Sequence, residues 1–198
     1  KENDDNNGFG PYHIDNSKDK WDETVEGLIA RVQVRNNLFR NNCWTWWQMS
    51  PIAVYYGHSI YVEHNDILDA PYIGITMGWS WGEFNGIANE RHFHRTLGKI
   101  GGKPSLTVND IKVNRNHIIN PYTRLTDTGG IYFVGDQAMQ IKGKVPQLSE
   151  VIGNYLAEPR PKGRNEASLI YTDEGTAYLF FKDNVIDGEM GIWRIFQR

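Results

Sequence analysis

At 198 residues the chain has room for one core of ordinary size, and its length does not call for two domains. The 21 Lys and Arg against 24 Asp and Glu leave a formal net charge of −3, so there is no basic field to hold a nucleic acid or an anionic membrane. Apolar runs such as 73–77 fall far short of the roughly 20 residues that span a bilayer, and with no signal peptide at its start the sequence reads as soluble and already processed. The lone cysteine, Cys43, excludes an internal disulfide without deciding the compartment. Aromatic residues are 13% of the chain, with Trp at 7, while mean hydropathy is −0.56. Large flat side chains on a polar surface suit sugar binding and suit other aromatic-rich β proteins equally well.

In chain order, residues 1–24 read as a polar arm or disordered tail, because acids outnumber lysines there and no strand period is present. Residues 25–198 then carry five copies of one pattern, apolar-x-apolar-x-x-Asn-x-apolar. The copies are Val32, Val34, Asn37, Phe39; Ile60, Val62, Asn65, Ile67; Ile111, Val113, Asn116, Ile118; Ser149, Val151, Asn154, Leu156; and Leu179, Phe181, Asn184, Ile186. Alternation before each Asn predicts a short strand with one buried face, and Asn tolerates the left-handed conformation that would turn the chain afterwards. Ser149 alone breaks the apolar rule.

Between the copies lie further strands, each closed by glycine: Ile52 to Gly57, Ile73 to Gly78, Gly130 to Gly135 and Ile170 to Gly175. The shortest repeat, Asn37 to Asn65, is 28 residues, too tight for βαβ units and right for a solenoid coil. The expected fold is therefore all-β, a right-handed parallel β-helix of about five coils with loop insertions. The largest insertion runs from Trp79 to Val108 and a smaller one from Glu158 to Arg164. No capping helix is legible at either end, so the chain reads as the later part of a longer protein, or as one capped by a second chain or by a missing amino-terminal region.

Counting back from the closing glycines, the second residue before each should face outward, which predicts an outer row of Tyr55, Thr76, Phe133 and Asp173. The same parity turns Glu174 inward with Tyr56, Met77 and Val134. Asp127, before Gly129-Gly130, shares the outward parity of Asp173, but extended chain would hold the two about 20 Å apart in height. Only a bend at the glycine pair would bring them within the roughly 5–10 Å of glycosidase carboxylates. Otherwise Asp127 is a turn residue and Asp136 takes its place. Trp79 and Trp81, with Trp44, Trp46 and Trp47 at the matching end of the previous coil, could wall a sugar subsite or simply anchor loops. His92 and His94 alternate like paired metal ligands but lack a third, and the acids from Asp183 to Asp187 lack a calcium-loop order, so no metal and no cofactor is expected.

The segments Asn65 to Gly82, Asp127 to Gly135 and Ile170 to Gly175, in that order, resemble bacterial right-handed β-helix proteins of glycoside hydrolase family 141 and its relatives. The resemblance spans roughly residues 30 to 190 of a type of chain that is usually much longer. It implies hydrolysis of plant or host poly- or oligosaccharide by two catalytic aspartates at the positions of Asp127 and Asp173, with a carbohydrate substrate and a secreted or periplasmic location. Trp79, Trp81, Tyr55, Phe133 and Asp136 are the expected substrate-binding residues. Two other classes share the fold: a polysaccharide lyase with Arg115, Arg124 or Lys142 as base, and a non-catalytic coil array that binds glycans or a partner chain.

Overall fold

The computed structural model describes residues 29–55, 57–78, 108–135, 137, 147–158, 167–173, 176–188 and 194–195. The arm 1–24, the insertion with His92 and His94, and Trp79, Trp81, Asp136, Lys142 and Glu174 lie outside the described residues.

Among the described residues every regular element is a strand. The chain runs through β1 (Ile29–Arg35), β2 (Leu38–Arg40) and β3 (Ile52–Val54), then β4 (Gly57–Glu63), β5 (Asp66–Leu68) and β6 (Ile75–Met77). It continues through β7 (Val108–Asn114), β8 (His117–Ile119) and β9 (Thr128–Phe133), then β10 (Ser149–Ile152), β11 (Tyr155–Glu158) and β12 (Ala167–Thr172), and last β13 (Leu179–Lys182), β14 (Val185–Gly188) and β15 (Arg194–Ile195). Successive strands enter three sheets in rotation, ordered β1-β4-β7-β10-β13, β2-β5-β8-β11-β14 and β3-β6-β9-β12-β15, with every pairing parallel. The arrangement is consistent with a parallel β-helix.

Equivalent residues stack from pass to pass, so the repeat becomes columns of like side chains. Val34, Val62, Val113, Val151 and Phe181 pair in one column, and Phe39, Ile67, Ile118, Leu156 and Ile186 in another. The three central valines and Ile67, Ile118 and Leu156 are fully buried, while the outermost members pack against them half-buried. Full burial of each such side chain stabilises by about 1.5–3 kcal/mol. Ser149 stands in a third column, with Val32, Ile60, Ile111 and Leu179, and its hydroxyl is paired there, donating to the Gln137 carbonyl at 2.8 Å and accepting from the Ile111 N–H at 3.2 Å.

The five asparagines form a continuous ladder between the first two sheets. Each Oδ1 from Asn65 to Asn184 accepts from both the backbone N–H and the Nδ2 of the asparagine one pass earlier, at 2.9–3.1 Å. Each Nδ2 from Asn65 onward also donates to a carbonyl of the preceding pass: Val34, Val62, Val113 and Val151 in turn. The left-handed residue of this corner is not the asparagine itself but its predecessor: Asn36, His64, Arg115, Gly153 and Asp183 all have φ between 53° and 67°. The ladder asparagine is required for its amide, which can donate and accept at once, and the turn is made one residue earlier.

The third sheet corrects the predicted parity. Backbone hydrogen bonds Gly78 N to Val54 O, Val134 N to Met77 O and Asp173 N to Phe133 O align Tyr55, Gly78, Val134 and Asp173 in one row. The closing glycines are therefore not equivalent, and Gly57 opens β4 rather than closing β3. Phe133 stacks instead with Val54 and Met77 and is fully buried in the core, against Phe181 at 6.3 Å between centroids. It cannot touch substrate. Val134, expected inward, belongs to a separate outer cluster with Ile73, Tyr132 and Tyr171. The slip arises because Gly135 lies one position beyond the row that holds Gly78 and Val134, so a count of two back from it reaches the inward Phe133. In β9 a Cβ on Gly130 would meet the Leu156 side chain at 3.0 Å and the Leu169 carbonyl at 2.8 Å, which is why glycine precedes Ile131 there.

Candidate active site

Asp127 and Asp173 occupy opposite ends of adjacent strands on the outer face of the third sheet. Asp127 directly precedes β9 with φ 55°, a left-handed conformation that Asp adopts more readily than most residues. Asp173 directly follows β12 and is buried, with its carbonyl accepting from the Thr176 N–H at 3.1 Å, while the Thr176 hydroxyl donates to the Phe133 carbonyl at 3.1 Å. Its backbone is thus held on both sides.

Between them stand two tyrosines that pair across the sheet, Tyr132 on β9 and Tyr171 on β12. Their rings meet edge to face at 5.4 Å and 89°. The Tyr171 hydroxyl donates to Oδ1 of Asp127 at 3.0 Å, and the Tyr132 hydroxyl donates to Oδ2 of Asp173 in a short hydrogen bond. A third phenol, Tyr72, donates to the backbone carbonyl of Asp127 at 2.9 Å. The result is a chain of contacts from one carboxylate to the other: Asp127, Tyr171, Tyr132, Asp173.

Gly129 sits at a tight point of β9. A Cβ on Gly129 would lie 2.8 Å from the Ile131 carbonyl oxygen and 2.9 Å from the Tyr171 Cβ. An extended strand holds a residue well clear of the carbonyl two positions ahead, so β9 is folded in at this point, and only a residue without a side chain leaves room for Tyr171 beside it.

Electrostatics tie both acids to the same cluster. Burial first, then the hydrogen bond and charge of Asp173, push the Tyr132 hydroxyl far above the usual phenol range, with further contributions from Tyr72 and Asp127. Burial, then Asp127 and then Asp173, raise Tyr72. Both phenols therefore stay neutral and act as donors, Tyr132 to the Asp173 carboxylate and Tyr72 to the Asp127 backbone carbonyl.

Among the other expected site residues, Tyr55 is exposed in the same row as Asp173, and Thr76 is buried with its hydroxyl 2.6 Å from that of Ser50. Arg124 lies over the rings of Trp44 and Trp47, at 5.0 and 5.6 Å from their centroids. Arg115 sits in left-handed conformation at the asparagine corner. Tyr72, Tyr132 and Tyr171 were missed in the sequence. The count from Gly175 already gave Tyr171 outward parity, but the count from Gly135 turned Tyr132 inward and so hid the pair.

No protein-family model matches the chain, and no curated protein does. A solved structure named a glycoside hydrolase superposes on 81% of this chain with a TM-score of 0.57 and 23% sequence identity. The superposition covers 24% of that structure's chain, so this chain spans about a quarter of its length. The likeness is one of fold.

Proposed function

We propose that this chain hydrolyses glycosidic bonds, with Asp127 and Asp173 as the catalytic pair, in the manner of family 141 and its β-helix relatives. The observation that carries the reading is the path joining the two carboxylates, a hydrogen bond from Tyr171 to Asp127 and one from Tyr132 to Asp173 with the two rings in edge-to-face contact between them. Two acids converging on one cluster on the outer face of a sheet supply what glycoside hydrolysis needs. One carboxyl group protonates the leaving glycosidic oxygen as the bond to the anomeric carbon breaks. The other either attacks that carbon or takes a proton from the water that does. The two roles are exchangeable on this geometry, and the anomeric configuration of the first product distinguishes retention from inversion. The Tyr132 and Tyr171 hydroxyls would hold the carboxylates in their reacting orientation.

The substrate in this reading is a poly- or oligosaccharide of plant or host origin, met outside the cytoplasm in a secreted or periplasmic setting. In this reading Tyr55, Trp79, Trp81 and Asp136 would contact it. We further infer that the three sheets close into a right-handed solenoid, since crossovers between parallel strands of one sheet are almost always right-handed.

The test is digestion of a diverse panel of plant and host glycans, read by mass spectrometry, with the native chain and with Asp173→Asn and Asp127→Asn variants. New reducing ends from the native chain, abolished in each folded variant, support the proposal. Unsaturated products would indicate a lyase instead. Full activity in both variants would place the catalytic acids elsewhere, and binding without cleavage would leave a non-catalytic array.

A further inference from the structure

We propose that the cleft walled by Trp46, Trp47 and Leu125 is a second sugar-binding subsite, which takes a pyranose ring of a neutral oligosaccharide extending away from the carboxylate pair. The inference rests on the hydrolytic reading for its direction along the substrate, but the binding it asserts can be measured without turnover.

The cleft has a volume of about 440 Å³ and is lined by Thr45, Trp46, Trp47, Gln48, Met49 and Leu125. That volume lies in the range of roughly 300–1,000 Å³ typical of small-molecule sites. Its wall is an unusual surface for a polar chain: Trp46 is 75% exposed, and Trp47 and Met49 are about half exposed. Contiguous exposed apolar groups of this size commonly mark a binding site. The lining also says what kind of ligand fits. Indole faces match the C–H face of a pyranose, and Thr45 and Gln48 offer hydrogen bonds to its hydroxyl rim. None of the six lining residues carries a charge, and the cation beside them, Arg124, is engaged over the Trp44 and Trp47 rings and is not itself in the lining, which favours a neutral sugar over a uronate.

The platform is rigid before any ligand arrives. The Trp47 Nε1–H donates to the Trp44 carbonyl at 2.9 Å, and the Met49 N–H to the Trp46 carbonyl at 3.1 Å, closing the loop between β2 and β3 on itself. The guanidinium of Arg124 then packs over both Trp44 and Trp47. A preorganised aromatic surface loses little entropy on binding.

Position links the cleft to the carboxylates. Leu125 forms part of its wall, and Asp127 follows two residues later, a distance of at most about 7 Å along the chain. The same loop is pinned to the preceding pass, with the Arg124 and Leu125 N–H groups donating to the Pro71 carbonyl and the Tyr72 hydroxyl to the Asp127 carbonyl. A sugar ring on the tryptophans would therefore neighbour one bonded near Asp127.

The experiment titrates the full chain carrying Asp173→Asn, which blocks turnover, with neutral gluco-, xylo-, galacto- and manno-configured di- to hexasaccharides and with a galacturonic acid oligomer, by calorimetry. Binding of a neutral oligosaccharide, weakened about tenfold by Trp46→Ala and partly restored by Trp46→Phe, is the expected result. On the native background Trp46→Ala should raise KM for long substrates while leaving kcat unchanged. Unchanged affinity in both Trp46→Ala and Trp47→Ala, tightest binding of the uronic acid oligomer, or no binding of any sugar would overturn the subsite. Binding that depends on Trp46 in a chain that cleaves nothing would keep the subsite and defeat the hydrolytic reading alone.

Discussion

The hydroxyl of Tyr171, on β12, donates a hydrogen bond of 3.0 Å to Oδ1 of Asp127, the residue just before β9. Because Tyr171 lies two residues before Asp173, this contact brings the environment of one acid to the other along a single strand. It also explains the glycine at position 129, where any Cβ would press on that of Tyr171.

Removing a phenolic donor should therefore affect chemistry more than folding. For Tyr132→Phe and Tyr171→Phe we expect kcat to fall about 10- to 100-fold with little change in KM, the range corresponding to roughly 1.5–3 kcal/mol for a hydrogen bond to a charged group. Steady-state kinetics on a substrate identified by the glycan panel, alongside thermal melts, checks this. Loss of folding in both variants, or unchanged kcat, would show the pair to be packing alone.

Alkaline stability should report the same tyrosines. Tyr132, Tyr122 and Tyr72 all have hydroxyls raised above the ordinary phenol value, burial being the largest cause in each. The folded state therefore holds these protons more tightly than the unfolded chain does. Below about pH 10 both states are protonated and the contribution to stability is fully present; above that, the unfolded chain ionises first and stability declines. Urea midpoints measured from pH 8 upward should fall beyond about pH 10, and less steeply in a Tyr122→Phe, Tyr132→Phe double variant.

The asparagine ladder should weaken unevenly along its length. Asn116 accepts from the N–H and Nδ2 of Asn65 and donates to Val62 and Asn154, all buried. Its replacement by Ala strands several buried groups and should cost about 3 kcal/mol or more. Asn37 is exposed at the end of the ladder, and its replacement by Ala should cost about 1 kcal/mol or less. Equal losses in chemical denaturation would contradict a cooperative internal ladder.

Phe133 offers a clean separation of core from site. Phe133→Ala should destabilise by about 3–5 kcal/mol through the cavity it leaves, while the activity per folded molecule stays near that of the native chain. A selective rise in KM without lost stability would return Phe133 to the substrate face. Val113→Asp, which buries a charge in a valine column, should fail to fold at all.

The repeat itself was legible in the sequence because stacking converts a local pattern into identical columns. Five copies of one alternation around Asn determine which residues pair, as Val34, Val62, Val113, Val151 and Phe181 do. The ladder's hydrogen bonds follow from that register alone. What only the tertiary structure decided is the face of each residue beyond a corner. Alternation holds along an extended strand, but no local signal says where one closing glycine stands relative to the next: Gly78 aligns with Val134, so Gly135 lies one position later and a count of two back from it lands on the inward face. That single slip sent Phe133 outward and turned Tyr132 inward, which hid its pairing with Tyr171. The link between Asp127 and Asp173 was hidden for a related reason. It runs sideways through side chains of neighbouring passes, 44 residues apart for Tyr171 and Asp127 and 41 for Tyr132 and Asp173, and no spacing within one strand encodes which phenol reaches which carboxylate.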